Sequence, residues 1–145
     1  MQLFNFLYFS KNLKKKTKEK IHYGTFFYPL DLLKGWNKLY GKNGFSQYQF
    51  VLPEENSKTG LDEILKVLKN DKFMPRLCVL KTFGKVPSLG HLSFPIKGTT
   101  LAMDFPINIK KNKNLYSKLD EIVIKNGGRI YPAKDSFMNS KTFQS

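Results

Sequence analysis

Residues 45–52 constrain the fold most, because their side chains alternate between two faces and Pro53 then ends the run. This alternation predicts a β-strand. One face would carry Gln47 and Gln49, and the other would carry Tyr48 and Phe50. The strand therefore presents two glutamine amides side by side on the same face.

Helical periodicity appears in three other segments, where apolar residues recur at spacings of three and four. The first predicted helix begins near Pro29 and ends at Gly41 or Gly44. The second is capped by Thr59 and ends near Asn70, and the third is capped by Asn114 and closed by Gly127 in a left-handed conformation. Further strands are predicted at residues 76–83, 99–105 and 128–131.

The order of these elements after the first helix is strand, helix, strand, strand, helix, strand. This order is typical of the split ferredoxin-like arrangement, in which helices cover one face of an antiparallel sheet. The sequence therefore predicts an α+β fold with a ferredoxin-like sheet, preceded by an N-terminal helical connector.

The first 28 residues differ in composition from the rest and predict a connector. An apolar stretch comes first (Leu3, Phe4, Phe6, Leu7 and Phe9), and a lysine-rich stretch follows at residues 11–20. The apolar stretch is too short to span a membrane, and its lysines follow it, unlike those of a signal peptide. We expect residues 1–28 to form an apolar, then basic connector and residues 29–145 to form the folded domain, with no transmembrane segment.

The formal net charge is +14, which would suit a nucleic acid, an anionic membrane surface or a phosphorylated partner. Almost all of the basic residues are lysines, however, and Arg76 and Arg129 are the only arginines. A dedicated nucleic-acid binder more often uses arginine forks to contact phosphates and bases. We therefore expect no specific nucleic-acid partner, and lysines that mostly cover a solvated surface.

Cysteine and histidine are scarce. Cys78 is the only cysteine, so the chain has no internal disulfide, and His22 and His91 lie far apart in the sequence. These residues favour a reducing, cytoplasmic location and predict no metal site.

No self-contained catalytic motif is present in the sequence: it has neither a glycine-rich phosphate loop nor a recognisable nucleophile and base. Four clusters could still contribute to a site, although each has a purely structural interpretation. They are the glutamine pair Gln47 and Gln49, the cation and aromatic Lys81 and Phe83, the small residues Thr100 and Ala102, and Lys134 beside Asp135.

Seven sequence blocks resemble a known family when they are taken together. In order they are FYPLD at 27–31, WNKLYG at 36–41, QYQF at 47–50, LKTFG at 80–84, LSFP at 92–95, MDFP at 103–106 and GGRIYPAKDS at 127–136. They resemble the C-terminal, substrate-side part of FAD-linked oxidoreductases similar to decaprenylphosphoryl-ribose 2-oxidase and the aldonolactone oxidases. The resemblance runs from about Phe4 to Phe143.

This resemblance implies a flavoprotein in which FAD is bound by a separate N-terminal domain and a substrate hydroxyl loses its hydride to the flavin. It implies that Lys134 is catalytic, that Lys134 and Tyr131 contact the cofactor, and that six residues bind a sugar or sugar-lipid substrate. Those six are Gln47, Gln49, Lys81, Phe83, Thr100 and Ala102.

The sequence also departs from the family pattern. Thr100 and Ala102 replace an asparagine and a cysteine, and Phe137 replaces the arginine that usually follows Lys-Asp-Ser. By the same comparison, the flavin-binding domain and the C-terminal end of the family are missing.

Two functions follow from these observations. The leading hypothesis is a substrate-domain fragment of an FAD-dependent sugar or alcohol oxidoreductase, truncated, inactive alone and dependent on a separate flavin-binding chain. The alternative is a basic ferredoxin-like module that binds RNA or another polyanion, with Tyr48 and Phe50 stacking on bases.

Overall fold

The computed structural model describes residues 6, 7, 9–11, 13, 20–28, 35, 38, 40–87, 89, 90, 92–134 and 137–144. The chain divides into two compact units, Met1–Trp36 and Asn37–Ser145. The helix predicted from Pro29 to Gly41 lies largely outside the described residues.

The described part of the first unit includes two helical stretches. Residues 6, 7 and 9–11 are helical, and helix α1 spans Tyr23–Phe27. His22 caps α1, because its Nδ1 atom accepts a hydrogen bond of 3.2 Å from the backbone N–H of Gly24. The apolar side chains of Phe6, Leu7 and Phe9 are exposed to solvent.

The second unit is built on four strands and two long helices. In chain order these are β1 (Phe45–Pro53), a 3-10 turn (Glu54–Asn56), α2 (Ser57–Asp71), β2 (Leu77–Phe83), β3 (Gly98–Pro106), α3 (Ile109–Lys125) and β4 (Arg129–Ile130), followed by the short helix α4 (Ser140–Gln144). The strands lie in the order β2-β3-β1-β4, and each neighbouring pair is antiparallel. This is the split ferredoxin-like arrangement, so the predicted α+β fold is confirmed.

The core lies between one face of this sheet and helices α2 and α3. Its buried members from the sheet are Tyr48, Phe50, Leu52, Leu101, Met103 and Phe105, and those from the helices are Ile64, Leu68, Leu115, Tyr116, Leu119 and Val123. The strand residues alternate in sequence and the helical residues recur at three and four, so both periodicities place their apolar side chains on one surface.

Two polar contacts tie α3 to the central strand inside this core. The hydroxyl of Tyr48 donates to Asp120 Oδ1 at 2.7 Å, and the hydroxyl of Tyr116 donates to Ser46 Oγ at 3.1 Å. Because Tyr48 and Asp120 are both buried, this charge-assisted bond satisfies a carboxylate that water does not reach.

The predicted helix starts were wrong for both long helices. Helix α2 begins at Ser57 rather than at Thr59, and the Ser57 hydroxyl donates to the carbonyl oxygen of Pro53 at 2.8 Å. Helix α3 is capped by Asn108 rather than Asn114, since Asn108 Oδ1 accepts from the N–H of Lys111 at 3.1 Å. The left-handed conformation predicted for Gly127 is confirmed by its φ of 69°.

Two glycines permit close approaches to β1. A Cβ atom at Gly60 of α2 would lie 2.6 Å from Leu52 Cδ1, so an alanine there would require the leucine side chain to shift. Gly98 begins β3 with a φ of 154°, and a Cβ atom there would overlap the carbonyl oxygen of Leu52. The described part of the chain includes no helix that is both long and apolar enough to cross a membrane.

Candidate functional site

The face of the sheet opposite α2 and α3 collects all six of the predicted substrate-binding residues. We call it the site face and define it by Gln47, Gln49 and Val51 of β1, Thr100, Ala102 and Asp104 of β3, and Leu77, Val79, Lys81 and Phe83 of β2. The strand register pairs Gln49 with Ala102 and Ala102 with Val79, and it pairs Lys81 with Thr100 and Thr100 with Val51. The sheet therefore brings together residues that lie far apart in the sequence.

Gln49 and Thr100 form the best-defined contact on this face. Gln49 Nε2 donates to Thr100 Oγ1 at 3.1 Å, and Thr100 Oγ1 donates in turn to the backbone carbonyl of Phe50 at 2.7 Å. Thr100 is buried and Gln49 is half-buried. The threonine hydroxyl thus helps to orient the glutamine amide, whose oxygen and remaining N–H can bond to hydroxyl groups.

Aromatic rings cover one end of the site face. Phe94, which is buried, stacks on Tyr131 with ring centroids 4.7 Å apart, and it meets the edge of Phe83 at 5.9 Å. Lys81 is exposed beside this cluster. Lys81 and Phe83 thus share a face, and Phe83 is held in place by aromatic packing.

Lys134 lies at the turn that follows β4. The N–H of Tyr131 donates to the carbonyl of Gln49 at 2.8 Å, and the N–H of Lys134 donates to the carbonyl of Tyr131 at 3.1 Å. Because of this turn, Lys134 and Gln47 line the same cavity, which has a volume of about 290 Å³. Phe45, Ile107 and Phe137 also line it. Lys134 is exposed, and Asp135, its alternative partner, lies outside the described residues.

Phe137, at the position where the sequence resemblance leads us to expect an arginine, packs against the core. Its ring meets that of Tyr116 edge-on at a centroid distance of 5.6 Å. The cavity beside Lys134 therefore has an aromatic wall where the family pattern would place a cation.

No site role was predicted from the sequence for four residues on or near the site face: Asp104, Tyr40, Arg76 and Cys78. Asp104 is buried and accepts a hydrogen bond of 2.9 Å from the hydroxyl of Tyr40, while Arg76 lies over the Tyr40 ring at 5.7 Å. Desolvation and the negative charge of Asp104 raise the pKa of the Cys78 thiol. Strand alternation could have found Asp104, since it lies on the same face as Thr100 and Ala102.

The proposed base-stacking role of Tyr48 and Phe50 was wrong. Both side chains are fully buried, with 0% of their surface exposed, and they pack against the helices. They cannot stack on bases as the surface aromatics of sheet-based RNA binders do. The polyanion-binding alternative therefore loses the residues on which it depended.

No protein-family model matches the chain. The chain is 38% identical over 120 residues to decaprenylphosphoryl-β-D-ribose oxidase of Mycolicibacterium smegmatis, and this match covers 83% of the chain but 25% of that oxidase. The chain thus spans about a quarter of the length of its relative. The sequence resemblance is confirmed: the chain is similar to one part of this oxidase, as a fragment of an FAD-linked oxidase would be.

Proposed function

We propose that this chain forms the substrate-side wall of an FAD-dependent sugar or alcohol oxidoreductase. The observation that carries the proposal is the site face, where the six substrate-binding candidates lie together. Bound FAD would supply the hydride acceptor, and the residues of this chain would bind and orient the substrate. Residues 29–145 would be the substrate domain and residues 1–28 its connector.

Gln49 would bind a substrate hydroxyl through its amide. The bond from Gln49 to Thr100 supports this role, because an amide that is already oriented loses less entropy when it binds a ligand. Gln47 and Lys81 would add a second amide and a cation on the same face. Thr100 and Ala102 have short side chains at the centre of the same face.

Lys134 would place its positive charge where negative charge develops on the substrate oxygen or on the reduced cofactor. Its exposed side chain beside the 290 Å³ cavity supports this role, because an ammonium group at a cavity mouth can reach a ligand without moving the backbone. Tyr131, in the same turn, would also contact the cofactor. These two residues fit a wall of a flavin site, and they leave the rest of the cofactor to contacts outside this chain.

The relative's name, a decaprenylphosphoryl-ribose oxidase, supports a sugar or sugar-lipid as the substrate. The flavin-binding part would come from a separate chain or from another stretch of a longer polypeptide. The isolated 145 residues would then be inactive. A cytoplasmic location stays a prediction.

A chimera provides the test. The chain would replace the homologous quarter of the M. smegmatis oxidase, and the oxidation rate would be measured with and without Lys134→Met at equal flavin content. A cation held in a water-poor site contributes roughly 3 to 4 kcal/mol to a charged transition state, so the rate should fall on the order of a hundredfold or more.

Lys110→Met is the matched control, because Lys110 is an exposed lysine on α3, away from the site face. It should leave the rate unchanged. Equal rates for the Lys134→Met and Lys110→Met chimeras would show that Lys134 is an ordinary surface lysine. The isolated chain should also carry no flavin absorbance after purification, and a stoichiometric flavin band would contradict the assignment of the main cofactor contacts to another part.

A further inference from the structure

The loop between β2 and β3, residues 84–97, exposes large apolar side chains to water. Val86 is 85% exposed, Leu89 is 96% exposed and Leu92 is 70% exposed. Single exposed apolar residues are common on protein surfaces, but three within one short loop form a group that gains by leaving water.

Cations surround the base of this loop. Lys85, Lys97 and Arg129 line a hollow of about 410 Å³, whose other walls include Val86, Pro87 and Ile96. Lys97 forms an ion pair with Glu54. Among the described residues, no carboxylate lies within ion-pair distance of Lys85 or Arg129. The hollow thus keeps uncompensated positive charge beside the exposed apolar side chains.

The sequence around the loop extends this charge. No aspartate or glutamate occurs between Asp71 and Asp104, whereas five basic residues do: Lys72, Arg76, Lys81, Lys85 and Lys97. The whole chain carries a formal charge of +14. An acidic surface would therefore be attracted to this region over a distance of about the Debye length, roughly 10 Å at 0.1 M salt.

The base of the loop is fixed, while its apolar side chains remain exposed. Phe94 is buried and stacked on Tyr131, and Arg129 Nη1 donates to the carbonyl of Ser93 at 3.0 Å. Pro87 and Pro95 further restrict the backbone. A fixed base presents the apolar side chains outward instead of letting them collapse onto the sheet.

We propose that this loop docks the chain on the surface of an anionic lipid bilayer. Val86, Leu89 and Leu92 would enter the boundary between headgroups and acyl chains, and Lys85 and Arg129 would contact lipid phosphates. Exposed aliphatic side chains next to unpaired cations match this surface, whereas a nucleic acid offers phosphates but no apolar layer. The proposal does not depend on flavin chemistry or on the site face.

Binding to lipid vesicles tests the proposal directly. The purified chain would be sedimented at 0.1 M salt with vesicles of phosphatidylcholine alone or with 30% phosphatidylglycerol, a composition chosen to give a negative surface potential near that of anionic leaflets. Binding to the anionic vesicles and not to the neutral ones is expected. Equal binding to both, or binding to neither, would overturn the proposal.

Two double variants separate docking by this loop from general attraction of a basic protein. Lys85→Gln with Arg129→Gln should weaken binding about 25-fold, because each cation near a membrane contributes about fivefold. The control, Lys110→Gln with Lys113→Gln, removes the same charge from exposed positions on α3 and should weaken binding much less. Equal losses would show that net charge alone drives binding and would refute the loop as the docking element.

The apolar contribution is tested by Val86→Ser with Leu89→Ser, which should weaken binding at least about tenfold because burial of these side chains is lost. The control is Leu65→Ser with Ile109→Ser, at two other exposed apolar positions. All four positions are exposed, so the variants should fold. If the loop variant binds as tightly as the control, insertion of the loop into the membrane is refuted. Displacement from the vesicles is a second test: if millimolar inorganic phosphate releases the chain as fully as high salt does, insertion is refuted as well.

Discussion

Replacing Thr100 by valine should reveal how far the site face depends on one hydroxyl. Valine keeps the shape of threonine and suits a strand, so the change removes the hydroxyl with little steric effect. Two hydrogen bonds are lost: the 2.7 Å bond to the carbonyl of Phe50 and the 3.1 Å bond from Gln49. Each net contribution is about 0.5 to 1.5 kcal/mol, and Thr100 is buried, so we expect the free energy of unfolding to fall by about 2 kcal/mol.

Urea unfolding of the chain, followed by circular dichroism, would measure this loss. Thr99→Val is the matched control, because Thr99 neighbours Thr100 on β3 but its side chain lies on the opposite face, and it should change the stability by less than about 0.5 kcal/mol. A double-mutant cycle with Gln49→Leu should give a coupling of about 1 kcal/mol between the two side chains. If Thr100→Val costs no more than Thr99→Val, or if the cycle is additive, the hydroxyl does not hold the glutamine amide.

Two further predictions concern β3 and β2, two of the strands that form the site face. Gly98→Ala should lower the free energy of unfolding by at least about 3 kcal/mol, because the added Cβ would overlap the carbonyl oxygen of Leu52. A loss below about 1 kcal/mol in the same urea assay would contradict this close approach. Desolvation and the charge of Asp104 raise the pKa of the Cys78 thiol, so Cys78 should react with iodoacetamide at pH 8 more slowly than a free cysteine does. Asp104→Asn should lower that pKa and speed the reaction. An unchanged or slower rate in Asp104→Asn would exclude the carboxylate as a cause.

Periodicity predicted the strands and the order of the elements well, because the central strands β1 and β3 each have one face in the core. It predicted the helix starts poorly. The first turns of α3 carry Lys110, Lys111 and Lys113, and the apolar repeat begins only at Leu115, so Asn114 resembled the cap better than Asn108 did. A polar first turn that is exposed to water leaves no hydrophobic signal, and only the backbone geometry identifies its cap.

The candidate site was predictable one strand at a time. Alternation placed Gln47 with Gln49, and Thr100 with Ala102, but the contact between Gln49 and Thr100 depends on the register of β1 against β3. Register is set by the core and the turns together, and a one-residue shift would reverse every face. The position of Lys134 beside Gln47 depends on the turn after β4, which sequence periodicity does not describe.

The alternation along β1 and β3 has a consequence for evolution. Residues that would meet a ligand, such as Thr100 and Ala102, are interleaved with core residues such as Leu101 and Met103, and the two sets face opposite sides of the sheet. A single substitution in one set leaves the packing of the other nearly intact. A substitution at Ala102 can therefore change the ligand preference of such a sheet from one lineage to another, whereas Thr100, whose hydroxyl also bonds the backbone of β1, is held by selection for stability as well.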